Sequence, residues 1–106
     1  MVEKAYDFTL WLLPKVEKFP RSYRFTVGER IVFTDLDLLM TLVEAAYSKQ
    51  KSGFLSEAGK KTNLLRYLMR LSKDLKLLST KSYAFAVERV EEIGRMVGGW
   101  AKAQRP

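Results

Sequence analysis

The chain has 106 residues, 47% of them apolar and 29% charged, enough for one core but not two. It contains no cysteine and no histidine, which removes disulfides, thiol nucleophiles, Cys/His zinc sites, haem ligation and histidine acid–base catalysis together. Nineteen Lys and Arg against twelve Asp and Glu leave a net charge of +7, which favours polyanionic partners over basic or neutral ones.

Four segments show helical periodicity. The first, Val2 to Lys18, carries Tyr6, Leu10, Leu13 and Val16 at three- and four-residue steps, and Phe8, Trp11 and Leu12 widen its apolar face. Pro14 is expected to bend this helix or cut it short. The second, Ser22 to Lys51, presents Val32, Leu36, Leu39, Met40, Leu42, Val43, Ala46 and Tyr47 as a broad stripe of the kind a bundle buries. The third, Ser56 to Ser79, has the most regular pattern. Leu64, Leu68, Leu71, Leu75 and Leu78 cluster on one side, and Arg66, Arg70 and Lys73 on the other. The fourth, Thr80 to Lys102, packs through Tyr83, Val87, Val90, Gly94, Val97 and Ala101.

Short connections at 19–21, 53–56 and 79–82 make sequential helices antiparallel. The expected fold is all-α: an up-down-up-down four-helix bundle forming a single domain over residues 1–106. No apolar run reaches the roughly 18–20 residues of a membrane span, and the leading Met-Val-Glu-Lys has no signal-peptide layout. A soluble cytoplasmic protein with no membrane association is therefore expected.

The excess charge is uneven. Residues 1–53 hold eight bases and seven acids, residues 54–106 eleven and five. On the third helix Arg66, Arg70 and Lys73 fall in one stripe with Lys76 to one side, at steps of about 6 Å that approach the phosphate spacing of a nucleic-acid strand. Lys60 and Lys61 extend it towards the helix start. A solvated helix face is the plainer explanation, but such a face usually alternates signs, and only Asp74 interrupts the bases between 58 and 79. Arg21, Arg24 and Arg30 form a second basic group. Tyr23 and Phe25 lie among them and offer stacking surfaces for exposed bases. The same aromatics could equally staple the turn, with Glu29 neutralising Arg24 or Arg30.

The acids give no catalytic constellation. Glu88, Glu91 and Glu92 lie on the polar side of the fourth helix without the histidines a carboxylate-bridged metal centre adds, so a solvated or ion-pairing face is expected, with no metal, no cofactor and no enzymatic activity. Asp35 lies near the apolar stripe of the second helix; if buried, it calls for an arginine partner.

Three glycines fall within six positions of the fourth helix, each costing roughly 0.5–1 kcal/mol against alanine. Gly94 sits on its apolar face and Gly98 at the edge, and with Ala101 they form a flat strip for close helix approach. Gly99 projects outwards with Glu88, Glu92 and Arg95. There a neighbouring subunit is expected to contact Gly99 and the carboxylates of Glu88, Glu91 and Glu92, bringing a basic face against them.

The stretches Tyr6-Asp7-Phe8, Phe19-Pro20-Arg21-Ser22 through Arg30, Leu65 to Leu71 and Ile93-Gly94-Arg95-Met96-Val97-Gly98-Gly99-Trp100 resemble the accessory variability determinant (Avd) proteins of diversity-generating retroelements. These are related to the four-helix-bundle proteins encoded by intervening sequences of 23S ribosomal RNA genes. The resemblance covers nearly the whole chain. It implies a homopentameric ring and association with the element's reverse transcriptase. It also implies binding of template RNA, and possibly DNA or an RNA–DNA hybrid, in mutagenic cDNA synthesis. The residues leave two alternatives: an RNA-binding protein of the ribosomal intervening-sequence type without a polymerase partner, and a purely structural oligomerisation module.

Overall fold

The computed structural model describes residues 2–104, and every regular element among them is helical. Four long helices, α1 (Val2–Glu17), α3 (Glu29–Tyr47), α4 (Ser52–Asp74) and α5 (Thr80–Ala103), form an elongated bundle of 47 × 22 × 19 Å. A short turn, α2 (Arg21–Tyr23), and a π-helical stretch over Arg24–Gly28 lead into α3. The most extensive packing joins α3 to α4 and α4 to α5; α1 packs mainly on α3 and touches α5 more lightly. This is the expected four-helix architecture.

Several local features depart from the sequence expectation. Pro14 lies inside α1, which continues to Glu17. Pro14 and Leu10, whose carbonyl loses its helical donor there, both face solvent, so water can replace the missing bond. The connection between α3 and α4 is 48–51 rather than 53–56. Lys51 closes it by donating from Nζ to the carbonyls of Ala45 (2.8 Å) and Ser48 (2.7 Å), where α3 ends, and it lies 5.7 Å from the centre of the Trp100 ring.

Helix α4 stops at Asp74 instead of reaching Ser79. The Leu77 amide donates to the Ser72 carbonyl (2.8 Å) and the Lys76 amide to that of Lys73 (2.9 Å), with Lys76 at φ 62°. This is a Schellman stop with lysine in the position glycine usually fills. Leu75 and Leu78 therefore belong to the connection. Ser79 then caps α5, its Oγ accepting from the Ser82 amide at 3.1 Å.

The core is turned relative to the stripes of large apolar side chains. It is built from Ala5, Phe8, Leu12 and Val16 of α1, Ile31, Leu38, Leu42 and Ala45 of α3, Leu55, Ala58, Leu65 and Met69 of α4, and Ala86, Val90, Ile93 and Val97 of α5, with Phe19 and Leu78 from the connections. Tyr6, Leu10, Met40, Tyr47, Leu64 and Leu71, expected inside, are exposed. The inner faces are made slim by alanines and by Thr9, Thr34, Thr62 and Ser72, all buried. Thr62 and Ser72 each donate to the carbonyl four residues back, Ala58 and Leu68, both at 2.8 Å. A hydroxyl satisfied in this way packs as a small apolar group, so a pattern scored on apolarity alone finds the wrong face.

Asp35 is buried at 2% exposure, and its partner is no arginine. The Thr9 hydroxyl lies 2.6 Å from Asp35 Oδ2 and 3.0 Å from the Ala5 carbonyl. Burial pushes the Asp35 carboxyl up to about 6, against the opposing pull of the Thr9 hydrogen bond.

Candidate nucleic-acid interface

The antiparallel topology brings the two basic groups together. The end of α1, the turn that follows it, the start of α3, the end of α4 and the start of α5 all lie at one end of the bundle. That end carries Lys18, Arg21, Arg24, Arg30, Arg70, Lys73, Lys76 and Lys81 against only Glu17, Glu29 and Asp74. Apart from the fixed stretch around Arg24 and Lys73, these side chains extend from helix termini into solvent: Lys18, Arg21, Arg30, Arg70, Lys76 and Lys81 are all exposed. Lys18 and Lys81 were not among the expected cations. Their signal was their place beside the connections, which antiparallel helices gather at one end.

Within this end the geometry differs from residue to residue. Arg24 is held towards the turn, its Nη2 donating to the Phe19 carbonyl at 3.3 Å, and Phe25 beside it is exposed while Tyr23 is half-buried. Glu29 forms no ion pair with Arg24 or Arg30 among the described residues. Lys73 lies 5.0 Å from the Tyr83 ring centre, a cation–π contact that leaves the charge at the surface. Lys76 stands past the helix end, so it does not continue the stripe of Arg66, Arg70 and Lys73.

The other candidates are neutralised where they stand. Arg66 is half-buried between α4 and α5, its Nε donating to Glu91 Oε1 and its Nη1 to Asn63 Oδ1. Lys60 meets Glu57 at 3.5 Å and Lys61 meets Asp37 at 3.9 Å. The acids of α5 are engaged in the same way: Glu88 with Arg89 at 2.9 Å, and Glu92 with both Arg89 (3.4 Å) and Lys4 (3.8 Å). Each exposed pair stabilises by at most about 1 kcal/mol, and Glu88, Glu91 and Glu92 are each paired within the chain while the Glu88 side chain stays 71% exposed. Among the described residues no three potential metal ligands converge, and no helix is long and apolar enough to cross a membrane.

The glycines also separate. A Cβ at Gly94 would meet Thr62 Cγ2 and Arg66 Nη2, each at 3.4 Å, so Gly94 marks the close approach of α5 to α4 beside Arg66 rather than the centre of the apolar face. Gly98 and Gly99 have open space around them. Gly59, Gly94 and Gly98 line a shallow groove of about 410 Å³ between α4 and α5.

Among the described residues the chain is an all-helical bundle of the four-helix class with one strongly basic end. A comparison with curated proteins returns no match. The model of one family, described as bAvd-like, matches residues 1–104. The chain belongs to that family and is an Avd-type protein.

Proposed function

We propose that the protein is a non-enzymatic accessory protein of a diversity-generating retroelement, holding template RNA against the element's reverse transcriptase during mutagenic cDNA synthesis. Family membership supports the retroelement assignment. The observation that carries nucleic-acid binding is the convergence of Arg21, Arg24, Arg30, Arg70, Lys73 and Lys76 at one end of the bundle. Long cationic side chains of this kind engage phosphate, which fixes position and affinity and reads little sequence. In a homopentameric ring each basic end is repeated, and weak contacts add through effective concentration.

Arg24→Glu, Arg70→Glu and Lys73→Glu in one chain should lower affinity for a generic single-stranded RNA at least tenfold and flatten its salt dependence, with helicity retained. Every phosphate that the variant no longer neutralises takes about one unit from the slope of log affinity against log salt. A parent protein whose RNA binding ignores salt, or a triple variant that binds as the parent does, refutes the assignment. Retention of RNA binding with no capture of the reverse transcriptase encoded beside the gene favours the ribosomal intervening-sequence type of RNA-binding protein instead.

A further inference from the structure

Helix α1 touches α5 lightly, and the seam between them is filled by large rings that reach the surface beside the basic end. Trp11, half-buried, stacks on the buried Phe8 with ring centres 5.8 Å apart. It also meets Phe85 at 4.8 Å, and Phe85 is 39% exposed. A cation lies against each of the two outer rings. Lys15 Nζ is 5.5 Å from the Trp11 ring centre, and the Arg89 guanidinium is 5.2 Å from that of Phe85.

The register of the seam sets the order of its charges. Trp11 lies level with Phe85, and Lys4 with Glu92 at 3.8 Å. The same antiparallel register puts Lys15 level with Lys81, one turn nearer the basic end, with Lys18 beyond them. Lys15, Lys18 and Lys81 form no ion pair among the described residues. Glu17, the nearest acid on α1, lies about 100° round the helix from Lys18. On the far side of the rings the charges balance. Arg89 is held by Glu88 at 2.9 Å and Glu92 at 3.4 Å, and Asp7 borders the same small cavity as Lys4 and Arg89. Attraction for phosphate therefore runs from the basic end as far as the rings and stops there.

Resting on the proposed binding of nucleic acid, we infer that the α1–α5 seam is a stacking platform for an unpaired base. Phosphates held by Lys15, Lys18 and Lys81 bring the next base of a single strand onto the exposed ring of Phe85, beside Trp11. Lys81 and Phe85 are separated by one helical turn, about 6 Å along the axis, a step that one nucleotide can span. The Arg89 guanidinium, fixed by its two carboxylates, adds a second flat surface for the base. Every base has a π face, so the platform takes any of the four, whereas a duplex keeps its bases stacked on one another.

Trp11 is one of two tryptophans in the chain, so Trp100→Phe leaves it as the sole fluorescent reporter. That protein is titrated at low salt with a single-stranded RNA, a blunt RNA duplex, and an abasic strand of the same length. The single strand should quench Trp11, and the duplex and the abasic strand should bind without quenching it. The same quenching by a DNA strand also supports the platform and shows that it ignores the sugar. In the full chain, Phe85→Leu should weaken binding of the single strand by about fivefold or more. Its affinity for the abasic strand should be unchanged, and Phe85→Tyr should bind as the parent does. Equal Trp11 emission with base-bearing and abasic strands, or parental affinity in Phe85→Leu, overturns the inference and leaves phosphate binding at the basic end standing. A parent protein that binds none of the strands at low salt removes the nucleic-acid reading itself.

Discussion

The buried carboxyl at the junction of α1 and α3 makes the stability of this protein depend on pH in a direction opposite to that of most acidic residues. A threonine hydroxyl has one proton to donate, yet Thr9 has two acceptors within reach, the Ala5 carbonyl at 3.0 Å and Asp35 Oδ2 at 2.6 Å. Both contacts are hydrogen bonds at once only when Asp35 keeps its proton, donating to Thr9 while Thr9 donates to Ala5. The carboxyl is raised from 3.8 to about 6, and at about 1.4 kcal/mol per unit this corresponds to about 3 kcal/mol. The sign follows from proton counts. Between about pH 4 and pH 6 the folded chain holds a proton at Asp35 that the unfolded chain has released. Stability is therefore full below the unfolded value, falls as pH rises through the folded one, and is flat above it. Asp35→Asn keeps a donor towards Thr9 without the charge. Urea unfolding of both proteins in steps across this range isolates the effect, because every other carboxyl is common to the two. The variant should gain about 3 kcal/mol on the parent between pH 4 and neutrality. A stability difference that stays constant within about 0.5 kcal/mol over that interval refutes the reasoning.

Lys76 holds a left-handed backbone at φ 62°, so Lys76→Gly should raise the urea midpoint, by about 1 kcal/mol of stability, while removing one cation from the basic end. The glycines should part company under alanine substitution. Gly98→Ala, with open space around it, should stabilise by about 0.5–1 kcal/mol in thermal unfolding. Gly28→Ala should destabilise by about 1–3 kcal/mol, since its Cβ would meet Val16 Cγ1 at 3.0 Å and the Tyr23 carbonyl oxygen at 3.3 Å.

Helix positions were legible in the sequence because periodicity over twenty residues survives local irregularity; α1 and α5 fall within a residue or two of expectation. The buried face was legible only in part: Phe8, Leu12, Val16, Leu39 and Leu42 are buried as expected, but other inner positions of α1, α3 and α4 were missed for one repeated reason. Alanine, threonine and serine occupy the inner positions that leucine and tyrosine were expected to fill, and hydroxyls bonded to their own helix, such as Thr62 and Ser72, carry no sequence mark that separates them from exposed ones. The cationic residues of the second and third helices were identified singly, but their meeting at one end depends on where connections fall. Arg66 was misplaced because its outcome turns on Glu91, twenty-five residues away on another helix.

The π-helical turn over Arg24–Gly28 amounts to one surplus residue accommodated inside a helix that otherwise runs from Arg21 to Tyr47. A surplus residue rotates everything before it by about 100° relative to everything after. The orientation of Arg21 and Arg24 about the helix axis is therefore set by chain length in this stretch, independently of composition. Relatives of this chain that lack the extra residue would carry the same charges yet aim them a quarter-turn away. A change in residue count between Pro20 and Gly28 would re-aim these arginines without altering their number.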